Sequence, residues 1–197
     1  MDTALRCHCG HLQGRLDTAS AAGRAVCYCK DCQAYARFLG RQEDMLDRHG
    51  GTEIIATLPR RLRFTAGTDE LACMSLSETG LLRWYAACCD TAIGNTPRDP
   101  KISYVGIVIG CLPAAETELT QAFGPRSIVL NTASARGEVK PAGSMFFAGL
   151  RIGRNVLFSR LSGKYRQNPF FDAATAQPIV TPRVLQPAER QALYENG

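Results

Sequence analysis

The sequence lacks any apolar run long enough to cross a bilayer. Its longest, Ile102 to Leu112 (ISYVGIVIGCL), is about half of the roughly 20 residues a transmembrane helix needs. The opening residues, MDTALRCHCG, lack the basic start and apolar core of a secretory signal. A cytoplasmic location with no membrane partner is therefore expected. No internal repeat or low-complexity stretch points to a solenoid or a disordered tail. Histidine is scarce, at three residues, and no Ser-His-Asp set, carboxylate pair or phosphate loop is recognisable. Strong charge of one sign is missing too. The net +5 tolerates an anionic substrate but does not call for a nucleic-acid partner.

What is present is an ordinary soluble composition, 45% hydrophobic and 21% charged, with enough chain to bury a core without metal. The unusual feature is cysteine. The nine cysteines stand at 7, 9, 27, 29, 32, 73, 88, 89 and 111. They are odd in number and too sparse for a secreted disulfide scaffold. In a reducing compartment, clustered cysteines bind metal or react rather than pair. Five of the nine fall in the first 32 residues, so the chemistry is sought there.

The pattern around them is mainly β. His11 to Leu16 alternates polar and apolar residues, and Thr52–Thr57, Arg61–Ala66, Leu71–Leu76 and Leu81–Ala86 read as short strands. Ile102 to Ile109 is a further apolar run of strand length. A helix from Asp31 to Leu39 begins inside a cysteine motif and stops at Gly40. The second half is more helical. Met145 to Leu161 places Phe146, Leu150, Leu157 and Leu161 on one side, with Arg151, Arg154 and Arg160 elsewhere. The expectation is a core-packing helix with solvated arginines. A basic amphipathic helix that lies on a membrane or contacts nucleic acid is the alternative. Pro187 marks the first turn of a short terminal helix.

Cys7-His8-Cys9 places two thiols two residues apart, on the same side of an extended segment. Tetrahedral zinc needs two more ligands, and Cys88-Cys89 is the source expected. Neighbours on a strand face opposite ways, so both reach one ion only if the backbone turns sharply. Either or both of Cys88 and Cys89 could then supply the ligands, with His8 or His11 able to stand in. Cys27, Cys29 and Cys32 form a C-x-C-x-x-C set running into the helix. Three protein thiols leave a fourth position for water or a substrate thiol, the arrangement of a catalytic zinc. A helix N-terminus also favours thiolates. Cys73 and Cys111, inside apolar segments, read as buried core residues.

Together, Cys7-His8-Cys9-Gly10, Cys27 to Cys32, and Trp84-Tyr85-Ala86-Ala87-Cys88-Cys89 resemble the glutathione-dependent formaldehyde-activating enzyme family, whose pattern is C-x-C-G, C-x-C-x-x-C and F-C-x-x-C-G. Asn168-Pro169-Phe170-Phe171 resembles a family tail. In the third motif Tyr85 stands where the family has its first cysteine, and Cys89 stands where it has glycine. The resemblance implies an Mss4-like zinc-binding β-sheet fold, here mainly β with added helices (α+β). It implies a structural zinc on Cys7, Cys9 and Cys88 and a catalytic zinc on Cys27, Cys29 and Cys32. The implied activity is that of a carbon–sulfur lyase joining glutathione and formaldehyde as S-hydroxymethylglutathione.

Residues 1–110 are thus expected to form the zinc-binding domain, with 111–197 a helical extension packed on it. The partners expected are a small thiol and an aldehyde, with a homodimer left open. Arg37, Arg41, Arg60, Arg61 and Arg63 are available to attract an anionic thiol. Two rival classes stand beside the enzyme: a non-catalytic zinc-stabilised binding module, and a thiol or zinc redox sensor.

Overall fold

Short alternating segments build this chain into sheets. The computed structural model describes residues 2–18, 23–143 and 145–195, and the backbone alone at 145–148. The first half runs β1 (Asp2–Arg6), β2 (Gln13–Asp17), β3 (Gly23–Cys27), α1 (Lys30–Phe38), α2 (Gln42–Met45), β4 (Thr52–Thr57), β5 (Leu62–Ala66), β6 (Leu71–Ser75), β7 (Leu82–Ala86) and β8 (Thr91–Thr96). The second runs β9 (Val105–Val108), α3 (Glu116–Phe123), β10 (Arg126–Leu130), α4 (Met145–Leu161), β11 (Arg183–Val184) and α5 (Pro187–Glu195). This is an α+β fold dominated by sheet, as expected.

Among the described residues the strands form two sheets. One is three-stranded, β1-β2-β5, and the other eight-stranded, β10-β3-β4-β9-β8-β7-β6-β11. The inner pairings of the large sheet are antiparallel. Its two edge strands come from the second half of the chain, and both run parallel to their neighbours, β10 to β3 and β11 to β6.

The large sheet is covered on both faces, as β7 shows. Leu82, Trp84 and Ala86 alternate into a core shared with Leu5, Leu16 and Leu62 of the small sheet. Tyr85 points the other way, packing against the layer that holds Ala34, Tyr35 and Phe38 of α1. Trp84 is the centre of the first core. Its ring lies 4.8 Å from that of Phe170, and its indole N–H donates to Thr96 Oγ1 at 2.9 Å. The Asn168–Phe171 segment thereby seals onto the sheet.

On the other face α1 is held by α5. The Tyr194 hydroxyl donates to Asp31 at 2.7 Å, and Arg37 donates to the Leu193 carbonyl at 2.7 Å. A charge network centred on one buried arginine closes the β10 edge. Arg24 on β3, fully buried, is paired with Glu53 on β4 and Glu116 on α3, and Arg126 on β10 shares both carboxylates. An unpaired buried guanidinium would be costly, and β4 and α3 supply the two carboxylates that neutralise it.

Helix α4 departs from expectation. Its span is as anticipated, but Leu150, Leu157 and Leu161 are exposed rather than packed in the core; Phe146 lies among the side chains outside the description. Amphipathic spacing shows that a helix has an apolar side but not what that side faces.

Candidate metal centres

The structure brings seven of the nine cysteines into two groups: Cys7, Cys9, Cys88 and Cys89, and Cys27, Cys29 and Cys32. In the first, the chain leaves β1 and turns back at once. The Gly10 N–H donates to the Cys7 carbonyl and the Cys7 N–H to the Leu12 carbonyl, both at 3.0 Å. Gly10 has φ +83°, a left-handed conformation that side-chain-bearing residues avoid. The loop sets the Cys7 and Cys9 sulfurs 3.5 Å apart.

Cys88 and Cys89 arrive on the turn that follows β7. Asp90 closes that turn at φ +53°, and the Cys89 N–H reaches back to the Ala86 carbonyl at 3.4 Å. This is the sharp bend that a cysteine doublet needs to aim both thiols one way. Cys88 Sγ lies 3.8 Å from Cys7, 3.3 Å from Cys9 and 3.8 Å from Cys89. Thiolates at about 2.3 Å around a tetrahedral zinc would lie about 3.8 Å apart. The four sulfurs here all fall within 4.8 Å of one another, so the set fits a closed four-thiolate ion. Cys89 lies within this group beside the other three sulfurs. His11 Nδ1 lies 3.2 Å from Cys9 Sγ, and His8 turns toward Asp44.

These thiols are electrostatically unequal. Burial opposes ionisation of Cys89, but the Thr91 hydroxyl, 3.2 Å away, and the Cys9 and Cys7 groups outweigh it and bring the thiol down to about 6. Burial pushes Cys88 up, and its three cysteine neighbours add to that. One sulfur of the quartet is therefore ready to be a thiolate, and a cation would make the others so.

The second group is assembled where three strands and a helix converge. Cys27 ends β3, opposite Thr52 on β4 and Leu130 on β10. Cys29 caps α1, its sulfur accepting the Cys32 N–H at 3.3 Å. Gln33, buried on the first turns of α1, donates to the Tyr28 carbonyl at 3.0 Å and to the Ser134 carbonyl at 2.8 Å. Tyr28 itself, between two of the cysteines, donates to Asp47 at 2.8 Å. The three sulfurs lie within 4.8 Å of one another.

Hydrogen bonds from Cys29 and Cys32, helped by one from Asn131, hold the Cys27 thiol far below its ordinary range. The same interaction pushes Cys29 up to about 11 and raises Cys32 as well. Ionisation within the trio is thus favoured at Cys27 and disfavoured at Cys29 and Cys32, and three clustered sulfurs are a donor set suited to a soft divalent cation.

A chain folded around two cysteine groups matches the model of a family of unknown function (DUF6151) over residues 2–180. The chain belongs to this family. No curated protein matches it. Among solved structures it is similar to a Rhodobacter sphaeroides protein at 17% identity and a TM-score of 0.45, over 65% of this chain and 99% of that one.

Two residues of this DUF6151 site escape sequence reasoning. Asn131 donates from Nδ2 to Cys27 Sγ at 3.1 Å, across 104 positions of sequence. It holds a left-handed conformation, φ +55°, which asparagine tolerates better than most residues. A lone Asn after a short strand carries no signal until β10 is known to lie beside β3. Burial pushes the Tyr104 hydroxyl up to about 12, and the charges of Cys27 and Cys32 add to that.

Three of the five arginines expected to attract an anionic thiol are held by other groups. Arg37 binds the Leu193 carbonyl, Arg41 binds Asp44 and the Cys89 carbonyl, and Arg61 pairs with Asp17. Cys73 and Cys111 stand apart in the core, as expected, with both thiols raised by burial.

Proposed function

We propose that this protein is a zinc-dependent enzyme of the carbon–sulfur lyase type, joining a small thiol to a small aldehyde. The observation that carries the reading is the inequality of the two cysteine groups. Four thiols complete one coordination sphere, and three leave a position open in the other. The resemblance to the glutathione-dependent formaldehyde-activating enzymes names glutathione and formaldehyde as the first pair to try. Residues 111–197 are, on this reading, an extension packed on the zinc-binding domain.

Cys7, Cys9, Cys88 and Cys89 would hold the structural ion, and Cys27, Cys29 and Cys32 the reactive one. When bound, zinc lowers the pKa of a ligating thiol so that its thiolate is available at neutral pH. The chain's own residues set the stage for this. Asn131 fixes Cys27, the N-terminal end of α1 fixes Cys29 and Cys32, and Gln33 ties that turn to the loop after β10. In the addition, the thiol sulfur bonds to the aldehyde carbon. The carbonyl π pair moves to oxygen, which takes the proton the thiol gave up.

Metal analysis of protein purified without added metal tests the reading. The expected result is two zinc ions per chain, one of which a mild chelator removes readily. Cys29→Ser should lose that ion and any thiol–aldehyde adduct formation, read by NMR with labelled formaldehyde, while the fold persists. One tightly held ion and no adduct would leave a zinc-stabilised binding module, the reading favoured by the burial of Cys27 and Cys32. Zinc released reversibly on mild oxidation would instead support a redox sensor.

A further inference from the structure

Helix α4 carries apolar residues on both sides: Ile152 and Val156 are half-buried on the inner one, and four large apolar side chains face outward. Leu150 is 63% exposed, Leu157 55%, Phe158 65% and Leu161 76%, whereas Ser159 on the opposite side is buried. The other large apolar side chains exposed among the described residues, Leu81, Ile102 and Ile179, are scattered through the chain and do not share an element. At about 100° per residue, Leu150, Leu157 and Leu161 fall on one side with Arg154 among them, while Arg151 and Phe158 flank one edge and Arg160 the other. Leu150, Arg151, Gly153, Arg154 and Leu157 line a broad depression on this side. Exposed apolar surface gathered on one element marks a contact.

Charge selects the partner. From Val139 to Phe171 the chain carries Lys140, Arg151, Arg154, Arg160, Lys164 and Arg166 and no Asp or Glu. A second copy of the same face would set these cations against their own kind. A nucleic acid would take the cations but leave the leucines and the phenylalanine in water. An anionic bilayer surface answers both, since headgroups take Arg and Lys while the acyl boundary takes Leu and Phe. With 17 residues, α4 is about 25 Å long, and no helix among the described residues is long and apolar enough to cross a membrane. The absence of a spanning segment, from which no membrane partner was expected, does not bear on a helix that lies flat.

We propose that α4 is a docking helix for anionic lipid surfaces, lying in the headgroup plane with Leu150, Leu157, Phe158 and Leu161 inserted. This is independent of the metal chemistry.

Sedimentation of the full chain with vesicles of phosphatidylcholine, alone or mixed with phosphatidylglycerol, tests it. The protein should pellet with the mixed vesicles and not with phosphatidylcholine alone, and release as salt is raised. The double variant Leu157→Glu/Leu161→Glu alters two exposed positions, so its melting should match the parent while its vesicle affinity falls about tenfold or more. Arg154→Glu/Arg160→Glu should lose binding likewise. No pelleting, pelleting indifferent to lipid charge, or full binding by the leucine variant would each overturn the proposal. So would a dimer that dissolves in the leucine variant without any vesicle binding, or binding to duplex DNA in place of vesicles.

Discussion

At the scale of single residues, the sequence announces the clustered cysteines far better than what tunes them. C-x-C and C-x-x-C spacings are legible because two or three residues of backbone suffice to bring their thiols together. Cys89 is less so, because its role depends on the left-handed turn at Asp90. Asn131 is invisible, because its reach to Cys27 depends on parallel pairing of two distant strands. Its contribution is testable. An N–H donor to a metal-bound thiolate orients the ligand and tempers its charge, and losing such a partner commonly reduces affinity about 10- to 100-fold. Asn131→Asp keeps the shape and the tolerance of the left-handed backbone but replaces the donor with a carboxylate. It should weaken zinc at the trio by about that factor, measured by competition with a chromophoric chelator, while the quartet keeps its ion. Equal retention in parent and variant would reduce Asn131 to a backbone role. Cys89→Ser should do the converse, loosening the quartet and sparing the trio.

At the scale of elements, β2 declared itself through alternation, burying Gly14 and Leu16 between more exposed neighbours, and β4, with no exposed residue, still lies where its strand-length run was read. β3 did not declare itself. Gly23–Cys27 is buried along most of its length inside the large sheet, and a strand covered on both faces loses its polar beat. β10, an edge strand whose only described strand neighbour is β3, gives no better signal. The turn after α2 shows how local chemistry positions the trio. Gly51 has no room for a side chain, since an added Cβ would meet Tyr28 and Val26 at 2.6 Å. Burial opposes charge on Asp47, but the Gly51 N–H, the Tyr28 hydroxyl and the His49 N–H outweigh it, and the carboxyl sits below its ordinary value. A lowered carboxyl pKa contributes stability above the unfolded value, about 4, and loses it as pH falls through the folded one. Asp47→Ala should therefore cost about 1 kcal/mol near neutral pH, a modest figure because the carboxylate is exposed. That gap should close in acid. Urea midpoints of parent and variant at the two pH values check this, and a gap independent of pH would mean that the turn is held by something other than the charge.

At the scale of the molecule, the early half supplies the clustered cysteines and the late half supplies what holds them in place. β10 lies against the cysteine-bearing strand, α5 clasps the cysteine-bearing helix, and Phe170 packs onto the only tryptophan. That last contact offers a direct readout, because the intrinsic fluorescence of the chain is dominated by Trp84, two residues before the end of the strand that leads into Cys88. Phe170 is wholly buried, with Phe64 edge-on at 5.7 Å and Trp84 tilted at 4.8 Å. Phe170→Ala removes an aromatic from a filled core and should cost about 3–5 kcal/mol. If residues 111–197 are an extension packed on the zinc-binding domain, this substitution should lower a single transition in which tryptophan emission, far-UV dichroism and zinc release move together. Were the tail a separate unit, tryptophan emission would shift in the variant while the metal sites melted at the parental midpoint. The sheet topology favours the single transition, because the large sheet acquires its outermost strands at both edges from the part of the chain beyond residue 110.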